Sequence, residues 1–259
     1  MPKTMSRKKT CAVCGKPSPQ PAVRNAERHG SPDLDTRPPA DVRFSIDTQV
    51  QKCPSCGYCF YDLAKGAPGA AETVNSETYR KQLGSASFPK LADSFLCWSL
   101  IEEQAGNFAG AGWACVYAAW VCDDAADFKR LYGNVSGTKM GERDEAAAAK
   151  LCRQKAVLLL KRARDEGQGF GAQAGAEEAL MADLLRRIAR FDSAAKMVKC
   201  GLEAKPIRVV ETVLEYEQVL AGKGDIDVHT VAEAIKWKGE LEGPATEAEK
   251  GQDATWQSE

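Results

Sequence analysis

The sequence predicts a mainly α-helical protein preceded by a small β domain that a metal ion holds together. Three observations carry that expectation. Cys11-Ala12-Val13-Cys14-Gly15 is answered by Cys53-Pro54-Ser55-Cys56-Gly57. Just ahead of the second motif, Val42 to Val50 alternates apolar and polar residues, the period of a half-buried strand. From residue 87 to 240 the chain takes up the spacing of amphipathic helices, punctuated by Gly and Pro.

The 259 residues suffice for one medium domain or two small ones. Net charge is −1, but residues 1 to 60 carry ten Lys and Arg against five Asp and Glu, so the head is basic and the rest acidic. The N-terminus lacks an apolar core followed by a small-residue cleavage site, and no run approaches the ~18 to 20 apolar residues of a membrane span. A cytoplasmic protein without membrane partners is expected. Of the ten cysteines, five lie between Cys11 and Cys59, and the rest (Cys97, Cys115, Cys122, Cys152, Cys200) are scattered among apolar residues as small hydrophobes. That division suits a reducing compartment better than a disulfide scaffold.

Residues 1 to 10 read as a basic, mobile tail. Gly15 follows the first cysteine pair where the chain must turn back tightly, a conformation glycine adopts cheaply. Lys16 to Ala40 holds six prolines and reads as a long loop. The alternating strand then delivers the chain to Cys53, and Tyr58, Phe60 and Tyr61 would cover the metal site from one side. The Gly, Ala and Pro stretch Ala64 to Ala71 is the best linker. The expected divisions are 1–62 for the ribbon with its tail, 63–86 for a linker with a short helix near Ser76 to Leu83, 87–240 for the helical body, and 241–259 for a disordered acidic tail.

Within the body, helices are expected from Pro89 to Gln104, from Asn107-Phe108 to Asp127, from Glu142 to Glu166, from about Gly175, from Asp192 to Gly201, and from Pro206 to the glycines at 222 and 224. Tyr132 to Gly141 breaks the pattern with three glycines. Thr230-Val231-Ala232-Glu233 is a capping box that opens a last helix.

Two segments resemble the tetratricopeptide helix-turn-helix. One reads Gly106-Asn107-Phe108, then Ala111, Cys115 and Ala118. The other reads Arg190-Phe191, then Ala194, Val198 and Gly201, with Pro206 where that family places its closing proline. The first has Asp123 in place of that proline. The resemblance implies helices packed closely through small residues and stacked into a curved binding surface. The whole arrangement also resembles an uncharacterised bacterial family with a paired-CxxC ribbon ahead of a helical repeat, and that likeness implies no activity.

Cys11, Cys14, Cys53 and Cys56 form a C-x2-C, 38-residue, C-x2-C set. Four thiolates suit tetrahedral Zn2+, and four sulfurs leave no open position, so a structural zinc ribbon is expected. Cys59 and His29 are the substitute ligands. A redox C-x-x-C site is the rival, though such motifs occur singly at a helix start rather than as a matched pair. Arg24, Arg28, Arg37 and Arg43 would be the cations of a nucleic-acid-binding ribbon, diluted by Glu27, Asp33, Asp35, Asp41 and Asp47. Trp113, Tyr117 and Trp120 stand at i, i+4, i+7, a stripe that is either core or a partner's hot spot. Arg186, Arg187 and Arg190 line a polar helix face that is either solvated or grips an acidic peptide or phosphate. The two histidines and the lack of nucleophile-elbow, zincin, phosphate-loop or dinucleotide motifs argue against an enzyme. The expected function is a non-catalytic, zinc-binding adaptor whose helical surface holds a protein or peptide. A nucleic-acid-associated factor and a thiol redox protein are the alternatives.

Overall fold

The computed structural model describes residues 4–23, 29–132 and 144–242. The expectations for residues 1–3, for Arg24 and Arg28, for the glycine break after Tyr132 and for the tail beyond 242 lie outside the described residues.

The head contains two short antiparallel ladders. β1 (Thr4–Thr10) pairs with β2 (Pro17–Val23), and β3 (Gln51–Lys52) pairs with β4 (Cys59–Phe60). Each cysteine pair sits in the turn that closes one ladder. The basic segment expected to be mobile is therefore a strand, and the expected loop begins as its partner. Pro17, Pro19 and Pro21 share one parity, so the amides they lack all fall on one edge, and the ladder runs through the residues between them. Ser18 and Gln20 turn inward, and the Gln20 amide donates to Ser18 Oγ at 2.9 Å and to the Lys52 carbonyl at 3.1 Å, tying the two ladders together.

The strand expected over Val42 to Val50 is corrected to a 3-10 helix, Arg43–Thr48. Alternation reports which residues are covered, not where the backbone bonds. Here the hydroxyls of Ser45 and Thr48 donate to the carbonyls of Val42 and Ser45 at 2.7 Å each, closing the turns locally.

Nine α-helices follow among the described residues. α1 (Ala70–Asn75) and α2 (Glu77–Leu83) occupy the segment where one short helix was expected, and Ser76 accepts from the Tyr79 amide as the cap between them. α3 (Lys90–Gln104), α4 (Phe108–Tyr132), α5 (Glu145–Asp165), α6 (Ala176–Arg187), α7 (Phe191–Glu203), α8 (Arg208–Gly222) and α9 (Val231–Glu242) form the body. The capping box forms as read: Glu233 N donates to Thr230 Oγ1 at 3.2 Å and Thr230 N to Glu233 Oε2 at 2.5 Å.

α4 is the central helix, packed between α3 and α5 and covered for most of its length. Gly112 permits that closeness, since a Cβ there would lie 2.5 Å from Leu160 of α5. Gly201 does the same for α7 against Glu178 and Leu214. Ala111, Cys115, Ala118, Ala194 and Val198 are all buried, so the small residues that carry the repeat resemblance lie at helix contacts. The largest core cluster runs without a break from Cys11 and Cys53 through Tyr58, Phe60 and Leu63 to α3, α4, α5 and the start of α6. Phe60 and Tyr61 meet Trp98 of α3 at ring-centroid distances of 6.1 and 5.9 Å.

Candidate metal centre

The two cysteine turns are built alike. Cys11 O accepts from Gly15 N at 2.8 Å, and Cys53 O accepts from Gly57 N at 2.9 Å. Both glycines are left-handed, φ 69° at Gly15 and 80° at Gly57, the conformation that swings each turn back under its second cysteine. At Gly57 a side chain would also strike Leu83, only 2.5 Å from the Cβ position.

This symmetry brings four sulfurs together, all within 4.8 Å of one another. The close contacts cross between turns: Cys11 to Cys56 at 3.7 Å and Cys14 to Cys53 at 3.6 Å. A zinc tetrahedron with Zn–S bonds of ~2.3 Å has S···S edges of ~3.8 Å, so the described sulfurs fit such an ion. Backbone amides complete the site, with Val13 and Cys14 directed at the Cys11 sulfur and Ser55 and Cys56 at that of Cys53. Burial pushes the Cys53 thiol up, but those amides and the neighbouring thiols outweigh it and bring it down to about 7. Burial dominates at Cys11 and Cys56 and raises both. The Cys53 thiolate therefore forms easily, while those of Cys11 and Cys56 would need a metal's charge.

Neither substitute ligand joins the cluster. Cys59 is buried and turns its thiol to the Gly57 carbonyl at 3.3 Å, and His29 is exposed with its amide on Asp41. Of the aromatics expected over the metal, Tyr58 and Phe60 are buried between the turn and α3, while Tyr61 is 42% exposed.

The other singled-out residues divide. Arg186 does not line an accessible face. It is fully buried, donating to Asp183 and Glu217 at 2.8 Å each and to the carbonyls of Asp225 and Asp227 at 3.0 and 2.9 Å. Its charge is spent inside, propping the α8–α9 connection. Arg187 is nearly buried and faces Asp123 at 3.2 Å and Asp35 at 3.8 Å. Arg190 is exposed. Arg37 pairs with Asp124 and Arg43 with Asp33 at 2.5 Å, so the two described members of the candidate nucleic-acid-binding set are engaged within the chain.

Trp120 is buried, and Trp113 and Tyr117 are half-buried. The three line one wall of a cleft of about 240 Å³ whose other wall is Thr36 to Pro38 and the 3-10 helix. That second wall was not anticipated from the sequence. Residues 31 to 43, the distal part of the loop between the cysteine turns, leave the head and cross the body as a strap. Leu34 N donates to His229 O at 2.9 Å, Val231 N to Pro32 O at 2.9 Å, and Ala232 N to Ser31 Oγ at 2.8 Å, around an antiparallel bridge between Asp33 and Thr230. Leu34 is buried in the cluster of Ala182, Val213, Leu214 and Leu220. Asp35 is covered as well and accepts from Trp120 Nε1 at 2.6 Å. An apolar Leu flanked by carboxylates in a proline-rich loop was the available signal.

No described helix is long and apolar enough to cross a membrane. The chain matches no protein-family model, and no curated protein or solved structure is significantly similar to it.

Proposed function

We propose that this is a non-catalytic, zinc-stabilised binding protein of the cytoplasm, in which the four-cysteine centre fixes the head on a helical body that holds a protein or peptide partner. The observation that carries the reading is the closed tetrad: four sulfurs at zinc-like separations leave no coordination position for water or substrate. Bound there, the ion would supply cross-linking of the two turns. The chain's own residues do the rest: the amides of Val13, Cys14, Ser55 and Cys56 stabilise sulfur charge, and Phe60, Tyr61 and Trp98 fasten the head to α3. The body, with its buried small-residue contacts and its strap-covered face, is the part suited to a partner.

The tetrad geometry speaks against the redox alternative, because the close sulfur contacts join one turn to the other rather than cysteines of the same C-x-x-C. The pairing of Arg37 and Arg43 with Asp124 and Asp33 speaks against a phosphate-binding head.

Two measurements test the proposal. Elemental analysis with a free-thiol count should give one zinc per chain and four protected thiols; no metal with ready disulfide formation would reject the centre. Peptides selected from a displayed library on the full-length zinc protein should bind with affinity that changes little with salt. A protein that retains no peptide but binds single-stranded nucleic acid, with affinity falling steeply as salt rises, would reject the adaptor reading.

A further inference from the structure

We propose that the seat beneath the strap is an interaction surface for an extended partner segment carrying a Leu-Asp-x-Arg step, and that the strap guards this seat in cis. The proposal rests on the binding reading above and names the partner's chemistry.

The strap sits on the body as a bound peptide would. It supplies a main-chain bridge to the α8–α9 connection and three side chains to three receptors. Leu34 fills an apolar socket between α6 and α8. Asp35 meets the indole N–H of Trp120 and the Arg187 guanidinium. Arg37 meets Asp124 of α4. The receptors are charge-matched to this order. Arg153 and Arg187 both face Asp123, so two guanidiniums share one carboxylate and one positive charge is left for Asp35. Asp183, the other nearby carboxylate, is held by Arg186. Main-chain pairing with pockets for alternate side chains is a recurring mode of peptide recognition.

The strap also leaves contacts unused. Trp113 and Tyr117 remain half-exposed along the cleft beside Thr36 and Pro38, where a longer segment would stack further apolar groups. An outside peptide must compete with a tethered one, whose effective concentration is on the order of millimolar for a short flexible link. It does so with those additional ring contacts.

The probe is a fluorescein-labelled peptide of the sequence from Ser31 to Pro39, added to the full-length zinc protein and followed by anisotropy. In the variant Leu34→Ala the strap is loosened and the metal ligands are untouched. The peptide should bind that variant at least tenfold more tightly than the parent, and the same peptide carrying Asp35→Asn should lose at least tenfold. A variant with parental zinc content and helicity that binds neither peptide, or both alike, overturns the proposal. Should Leu34→Ala fail to fold, amide exchange of the parent protein decides. Exchange at Leu34 of the strap should rise saturably with unlabelled peptide while Val231, whose amide the peptide's own Pro32 carbonyl would accept, stays protected, and a Leu34 rate that does not respond overturns the proposal. Because library selection on the parent protein does not depend on the strap sequence, failure here leaves the adaptor reading standing on its own test.

Discussion

The indole N–H of Trp120 is bonded at 2.6 Å to the carboxylate of Asp35, a residue 85 positions earlier in the chain, and both side chains are buried. One bond thus joins the loop between the cysteine turns to the central helix. Trp120→Phe keeps a smaller aromatic ring and removes the donor, leaving a buried carboxylate oxygen one partner short and a small gap where the indole's second ring lay. A loss of about 1 to 3 kcal/mol is expected in urea unfolding. Trp113→Phe loses a bond to the Phe170 carbonyl at a half-exposed site and should cost less. Equal losses would mean that the Asp35 contact contributes nothing special.

Glu217 is buried against Arg186 and Asp183, and burial, with the Asp183 charge, pushes its carboxyl up to about 8. The unfolded value is 4.5. Between those values the native state keeps a proton that the unfolded chain has released, so stability falls as pH rises from 4.5 toward 8. Glu217→Gln should remove that slope, so the variant gains on the parent as pH rises from 5.5 to 8.5. Asp183→Asn takes the ionised partner from Arg186 and should cost about 3 to 5 kcal/mol. Urea midpoints at pH 5.5, 7 and 8.5 compare the three proteins. A slope that persists in the Gln variant would assign it to another group.

Gly112 stands mid-helix, where Ala would ordinarily add up to about 1 kcal/mol. The Leu160 side chain lies in the way of a Cβ. Gly112→Ala should therefore destabilise, by about 1 to 3 kcal/mol, through overpacking of α4 on α5. A rise in thermal midpoint would show that α5 moves aside cheaply.

Cys53→Ser removes one ligand and should abolish stoichiometric zinc. Since Cys53, Tyr58 and Phe60 share a continuous core with α3 and α4, the parent should lose helicity and metal in a single transition and the variant should lose its helicity in one lower transition. Circular dichroism melts with a parallel zinc indicator read both. Two separate transitions would show that head and body fold independently.

The four-cysteine cluster was legible because its signals are local: fixed cysteine spacing and a glycine where φ turns positive. The α9 capping box and the helix-ending glycines were legible for the same reason. The β1–β2 hairpin was not, because three prolines look like loop until their shared parity is set against a partner strand. Val42 to Val50 misled because alternation records burial on one face, and short hydroxyl-capped turns satisfy it as a strand does. Arg186 misled for a related reason. Its spacing from Arg187 and Arg190 is plain in sequence, but which of the three points inward depends on Glu217, 31 positions later. The strap's local signature was slight, an apolar Leu between two carboxylates, because its main-chain partners lie about 200 residues away.

That separation sets an order on synthesis. Chains emerge from the N-terminus, and the cysteine turns, complete by residue 57, can come together while the body is still being made. The strap cannot settle, because the backbone it pairs with, His229 to Ala232, comes at the far end of the described chain. Until then Leu34 and its socket both stand open, in a loop already closed where the two cysteine turns meet. A chain halted before α9 would carry a finished cysteine cluster and an unseated strap, so a protease that cuts near Thr36 distinguishes nascent or truncated molecules from finished ones.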